Sequence, residues 1–260
     1  VRYAQHHKRP AIPKSRLIIG RKPMIEALNS GRTVEKIFIL QSAGGEDINL
    51  IKKKARAENI ALSLVPAEKL ERFTASNHQG VVAIAGLITY QPLQDVISMV
   101  VERGETPLII VLDGITDTRN LGAIARAAHC YGAHALVTPV SNSAAVTEEA
   151  VKTSAGALET LNVCRVASIE EAFDVLKLNG ITTVATLLQT DTMLHHADLS
   201  LPTALILGAE DKGVSNFVRK HADHLVRIPM AGNFDSLNVA VATGIILYEV
   251  HRQRTHNFNT

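Results

Sequence analysis

From residue 108 to near the C-terminus, strand-length apolar runs alternate with longer segments of helical period. The runs fall at 108–112 (Leu-Ile-Ile-Val-Leu), 135–138, 163–166, 181–186, 205–207 and 225–228. Helical patterns separate them at 121–131, 147–156, 169–178 and 214–221, and a last one extends from Leu237 to about Val250. A strand that is apolar at successive positions is buried on both faces, and a strand–helix–strand connection makes its neighbours parallel. The alternation therefore predicts an α/β domain whose parallel sheet is covered by helices on both sides.

A smaller α/β unit precedes it. Its pattern is a helix after Gly20 carrying Met24, Ile25 and Leu28, strands at 34–40, 60–65 and 81–86, and helices ending at Ala57 and covering 67–73. The expected organisation is a flexible basic arm (1–16), a small domain (17–88), a linker (89–106) and the main domain (107–260). The linker holds Pro92, a helix over 93–102 and a Gly-Glu-Thr-Pro break.

The net charge of +2 conceals a division: residues 1–90 hold 15 Lys and Arg against 7 Asp and Glu, and residues 91–260 hold 12 against 18. A basic first part beside an acidic remainder points to a polyanion held by the first. No apolar run reaches the roughly 18–20 residues that span a bilayer, so no membrane partner is expected. Cys130 and Cys164 lack C-x-x-C spacing and read as small buried thiols in a reducing, cytoplasmic compartment. The pairs His195–His196 and His221/His224 lack the partners of a metal site, and no metal is expected. Neither G-x-G-x-x-G nor a P-loop follows the first strand of the main domain.

Three polar, glycine-bearing stretches interrupt the apolar pattern at strand exits. Residues 113–126 read D-G-I-T-D-T-R-N-L-G-A-I-A-R, residues 205–214 read L-I-L-G-A-E-D-K-G-V, and residues 228–245 read I-P-M-A-G-N-F-D-S-L-N-V-A-V-A-T-G-I. In the last, Ser236 is the expected N-cap of the final helix. Taken in order, N-L-G-x-x-x-R, L-G-x-E-x-x-G-V and I-P-M-x-G-x-x-x-S-L-N-V resemble the three motifs of the SpoU family of RNA ribose 2′-O-methyltransferases, over about 107–255.

The resemblance implies a SPOUT-type domain with a parallel sheet and a deep trefoil knot, binding S-adenosyl-L-methionine. It also implies that the first domain is the small α/β/α unit, similar to certain ribosomal proteins, with which many members hold RNA; the loop Asn77-His78-Gln79-Gly80 belongs to it. Mapped on this chain, the cofactor residues are Thr186, Leu207, Gly208, Ile228, Ser236 and Leu237. Glycine at 208 permits close backbone approach.

Methyl transfer to a hydroxyl is an in-line displacement that asks for positioning and electrostatics rather than a covalent intermediate. The implied catalytic set is Arg126, Asn120, Ser236, Asn238 and Glu210. Arg126 clamps the phosphate beside the target ribose and eases loss of the hydroxyl proton; it is not itself a base, because a guanidinium does not readily deprotonate. Ser236 and Asn238 orient the hydroxyl, Asn120 braces the site, and Glu210 orders the loops or takes the proton. The third motif and the H-Q-G of 78–80 are most similar to the branch acting on a guanosine of large-subunit (23S) ribosomal RNA, working as a homodimer. Asn233, Phe234 and Asp235 depart from the motif. The rivals are a transfer RNA methyltransferase, a resistance methyltransferase acting on ribosomal RNA, and a ribosome-assembly RNA-binding protein without activity.

Overall fold

The computed structural model describes residues 12–231 and 236–256. The chain divides into two units at Gly86/Leu87. In the first unit, β1 (Leu17–Ile19), β2 (Val34–Leu40), β3 (Ala61–Val65) and β4 (Val81–Ala85) form a sheet of order β1-β4-β2-β3. β4 is antiparallel to both β1 and β2, and β3 is parallel to β2. Alternate side chains of β2 and β4 serve opposite faces, as a two-residue period dictates. Ile37, Ile39, Val81 and Ala83 pack under α1 (Arg21–Asn29) and α2 (Glu46–Ala57). Phe38 and Val82 meet Leu70 of α3 (Ala67–Glu71) on the other face. The result is the expected α/β/α sandwich.

Arg21 is built into this unit. Its guanidinium donates to Gln79 O (2.9 Å) and Gly44 O (3.1 Å), tying the Asn77–Gly80 loop to the loop before α2. Residues 1–11 of the expected arm lie outside the described residues, whereas Lys14–Arg16 form a 3₁₀ turn and Arg16 donates to Ala85 O at 2.8 Å. Residues 14–16 of the expected arm therefore belong to the folded unit.

The second unit is a seven-stranded, wholly parallel sheet. Its strands are β5 (Tyr90–Gln91), β6 (Leu108–Asp113), β7 (Ala135–Pro139), β8 (Asn162–Val166), β9 (Thr182–Thr186), β10 (Thr203–Gly208) and β11 (His224–Val226), in the order β11-β9-β10-β6-β7-β8-β5. Residues 108, 110 and 112 of β6 and 205 and 207 of β10 face a core shared with α5 (Thr118–Cys130), α6 (Glu148–Thr153), α7 (Ala157–Thr160) and α10 (Val239–His256). Residues 109, 111, 204 and 206 face the opposite core, shared with α4 (Leu93–Glu102), α8 (Ile169–Leu178) and α9 (Asn216–His221).

Three expectations change here. Segment 89–106 is not a free linker: β5 pairs with β8, and α4 buries Leu93, Val96, Ile97 and Val100 in the second core. The helix expected over 147–156 is broken into α6 and α7, because Ala155 and Gly156 take positive φ values of 50° and 90°. Cys130 is exposed, and only Cys164 is a buried thiol, its pKa pushed up to about 12 by that burial.

Two polar devices lock the edges of the sheet. The Arg254 guanidinium, whose pKa burial lowers, donates to the carbonyls of Leu199 (3.2 Å), Thr106 (2.8 Å), Pro107 (2.9 Å) and Leu201 (2.8 Å), pinning α10 across the N-terminal ends of β6 and β10. Asp223 accepts from the Thr183 N–H (2.8 Å) and hydroxyl (2.7 Å) and joins β11 to β9. Partial burial raises the Asp223 carboxyl, but the Thr183 bonds outweigh it and hold its pKa below the ordinary value. This tie is present at neutral pH and is lost as pH falls through that depressed value.

The boundary can be tested by truncation. A fragment 87–260 should unfold cooperatively in a thermal melt followed by circular dichroism. A fragment 107–260 should not, because deleting α4 removes four buried side chains worth about 1.5–3 kcal/mol each, comparable with the roughly 5–15 kcal/mol that stabilises a whole domain.

Candidate active site

The strand order reverses at β6, which has β7 on one side and β10 on the other. Such a switch point opens a crevice beyond the C-terminal strand ends. On the β10 side of it lies a cavity of about 500 Å³, lined by Thr186 at the end of β9, Gly208 at the end of β10, Ile228 after β11, and Ser236, Leu237 and Val239 at the start of α10. Five of the six expected cofactor residues therefore converge. Leu207 does not line the cavity: it is 1% exposed and points into the core under α5 and α10.

Gly208 owes its identity to the chain itself. A Cβ there would lie 2.2 Å from Gly213 C and Val214 N, both backbone atoms. The 209–213 loop leaves β10 and returns directly over it, closed by reciprocal Ala209–Gly213 backbone hydrogen bonds of 3.0 and 2.8 Å. The Asp113 carboxylate at the end of β6 accepts from the Ser215 N–H and fixes the far end of this loop. The glycine of N-L-G-x-x-x-R works in the same way, since a Cβ at Gly122 would meet Ala150 O at 2.5 Å where α5 crosses α6.

Asp117 caps α5 by accepting from the N–H groups of Arg119 (2.7 Å) and Asn120 (3.1 Å). The cap of α10 is Asn238 and not Ser236: the helix begins at Val239, and Asn238 Oδ1 accepts from the Ala240 (3.0 Å) and Val241 (3.4 Å) N–H groups. That bond fixes the orientation of the Asn238 amide, so its Nδ2 donates to Asn120 Oδ1 at 3.1 Å and brings the two helix starts together. The side-chain N–H groups of Asn120 have no partner among the described residues. Arg126, inside α5, is exposed and without an ion-pair or hydrogen-bond partner among the described residues. Asn120, Arg126 and Asn238 are outside the cavity lining, whereas Glu210 is on it and exposed.

The cavity also includes Met230 of the third motif and residues that the motifs do not flag: Gln189, Arg219 and Arg227. Gly232 of the third motif and its variable stretch, Asn233, Phe234 and Asp235, lie outside the described residues. Among the described residues, no group of three or more His, Cys, Asp or Glu is placed to hold a metal ion.

Residues 107–248 match the model of the SpoU rRNA methylase family, and residues 17–91 match that of the RNA 2′-O ribose methyltransferase substrate-binding domain. The chain belongs to the SpoU family. A protein of Bacillus subtilis (strain 168) described as a TrmH family tRNA/rRNA methyltransferase is 34% identical over 91% of this chain and 95% of its own length. The AdoMet-bound rRNA methyltransferase from Sinorhizobium meliloti is 28% identical with a TM-score of 0.59, covering 92% of this chain and 88% of its own. The A. aeolicus TrmH/SpoU tRNA modifying enzyme is 29% identical with a TM-score of 0.54, covering 63% of this chain and 86% of its own. The chain is thus an RNA ribose methyltransferase with a substrate-binding domain for RNA, and its family uses S-adenosylmethionine.

The strand-exit cavity fits that cofactor in size, in its backbone edges and in holding an arginine whose Nε is buried without a partner. Substituting Gly208→Ala should weaken S-adenosylmethionine binding by at least about 10-fold, read by titration calorimetry, because the 209–214 segment must move. The same change should cost about 1–3 kcal/mol of stability, as overpacking does.

Proposed function

We propose that the chain methylates the ribose 2′-hydroxyl of a guanosine in large-subunit (23S) ribosomal RNA. The observation that carries this reading is the extent of the likenesses. An rRNA enzyme matches 92% of the chain, basic first unit included, whereas a tRNA enzyme matches 63%. Lys22, Lys52, Lys53 and Arg56 leave exposed positive charge on that unit, suited to phosphates. Arg21 does not belong to that set, being spent on two backbone carbonyls.

S-adenosylmethionine, when bound, supplies an electrophilic methyl group. The chain's own task is to hold the ribose and favour loss of its proton. Arg126, permanently charged and unpartnered among the described residues, clamps the phosphate next to the ribose and lowers the cost of the alkoxide. Asn120, with its amide oxygen held by Asn238, offers its free N–H groups to the substrate oxygens. Here Asn238 is the brace and Asn120 the contact, while Ser236 stands at the cavity mouth. Glu210 orders the 209–213 loop or accepts the proton.

Trefoil-knotted threading belongs to the same reading. It is supported by the stretch after β11 running against the loop after β9, where Arg227 N–H donates to Thr192 O and Leu194 N–H to Arg227 O. So does a homodimer: Val241, Ile245 and Tyr248 form one stripe on α10 and are 53%, 39% and 56% exposed, an apolar face that a second copy covers, leaving Arg126 to act within or across subunits. The free, exposed Cys130 suits a cytoplasmic setting.

The test is methylation of ribosomal RNA and transfer RNA by the purified chain with labelled S-adenosylmethionine. Nucleoside analysis should find label in 2′-O-methylguanosine from large-subunit RNA; label in transfer RNA alone would favour the rival substrate. Arg126→Ala should lower kcat by about 10²–10³-fold, the scale of one lost charge stabiliser, and leave cofactor affinity within about 2-fold, because Arg126 does not line the cofactor cavity. Arg126→Lys should rescue little, for want of the planar fork.

A further inference from the structure

The cavity contains one half-buried arginine whose Nε is buried and makes no hydrogen bond among the described residues. Arg227 follows β11 directly, and its backbone is pinned on both sides, its N–H donating to Thr192 O at 3.0 Å and its carbonyl accepting from Leu194 N–H at 2.9 Å. The side chain lines the cavity, and Nε is buried with no hydrogen-bond partner among the described residues. Native structures seldom leave such a donor without a partner, so a ligand, an ion or a bound water completes it. Arg219 lines the same cavity but is already engaged, donating from Nε to Val214 O and from Nη2 to Lys212 O, both at 3.2 Å; it serves the loop. The remaining charges of the lining, Glu210, Asp211 and Lys212, are exposed on that loop.

A guanidinium held on a pinned backbone inside a cavity is a preorganised receptor for a planar anion. The adenosine part of the cofactor has no anion to offer. Its amino-acid end carries one carboxylate and one ammonium, and the cavity supplies opposite charges for both: Arg227 inside, and the carboxylates of Glu210 and Asp211 at the rim. We propose that Arg227 recognises the α-carboxylate of S-adenosylmethionine and so selects the intact amino-acid-bearing cofactor over adenosine derivatives that lack it. The proposal rests on the reading of this cavity as the cofactor site. It makes Arg227 a binding residue on the cofactor side, separate from Arg126 on the RNA side.

The test is calorimetric binding to the full chain of S-adenosylhomocysteine, of decarboxylated S-adenosylmethionine and of 5′-methylthioadenosine. The wild-type protein should bind S-adenosylhomocysteine about 10–100-fold more tightly than either ligand without the carboxylate, the range expected of a charge-assisted pair. Arg227→Ala should reduce that preference by weakening S-adenosylhomocysteine alone, and Arg227→Lys should keep more of it. Unchanged binding of 5′-methylthioadenosine reports that the variant cavity is intact. Equal wild-type affinity for ligands with and without the carboxylate would overturn the proposal without any variant. So would an Arg227→Ala variant that weakens all three ligands alike, or one that leaves all three unchanged and instead loses affinity for RNA. A wild-type chain that binds none of them would overturn the cavity assignment itself, and the role of Arg227 with it.

Discussion

The placement of β10 is the constraint on which the site depends. It lies between β6 and β9 in parallel register, from Thr203 opposite Leu108 and Thr182 to Gly208 opposite Asp113. At Gly208 the chain leaves the sheet and crosses back over itself, with Gly213 and Val214 in the space a side chain would fill. Asp113 anchors the returning segment from the neighbouring strand. The loop so formed is a wall of the cavity, and its opposite walls come from the exits of β9 and β11, strands that Thr183 and Asp223 tie together at their entry ends. A rigid scaffold thus presents backbone edges, which can read a nucleoside without charged side chains.

Charge is divided between recognition and architecture in ways that composition does not distinguish. Arg16, Arg21, Arg219 and Arg254 all spend their guanidinium groups on backbone carbonyls and act as internal ties. Arg126 and Arg227 make no such bonds among the described residues, one on the open face of α5 and one inside the cavity. In a chain whose first part is basic, these two unengaged arginines lie in the acidic second part.

Much of this was legible in the sequence, for identifiable reasons. Continuous burial on both faces marks β6 and β10 by composition alone, and strong amphipathic periods place α4 and α8 at the expected residues. The convergence of Thr186, Gly208, Ile228, Ser236 and Leu237 came from the motifs and their family likeness, since no local pattern brings residues so far apart in sequence together. Features set by tertiary pairing were not legible. β5 is two residues long and exists because β8 offers an edge. Leu207 and Gly208 are neighbours in sequence, yet one faces the core and the other the cavity, because successive strand residues point to opposite sides. Two polar residues two positions apart, Ser236 and Asn238, stand before one helix start, and the cap falls to the one that also reaches Asn120. Arg227 carried no signal, because an arginine after an edge strand reads as surface until its backbone pins and buried Nε are seen.

Hydrogen exchange on the full chain, with and without saturating S-adenosylmethionine, tests whether the strand-exit cavity holds the cofactor. New protection is expected at 186–189, 208–213 and 227–230 and at the start of α10, the walls of that cavity, with the first unit unchanged. Protection confined to the first unit, or to the opposite ends of the strands near Thr106 and Leu201, would contradict it.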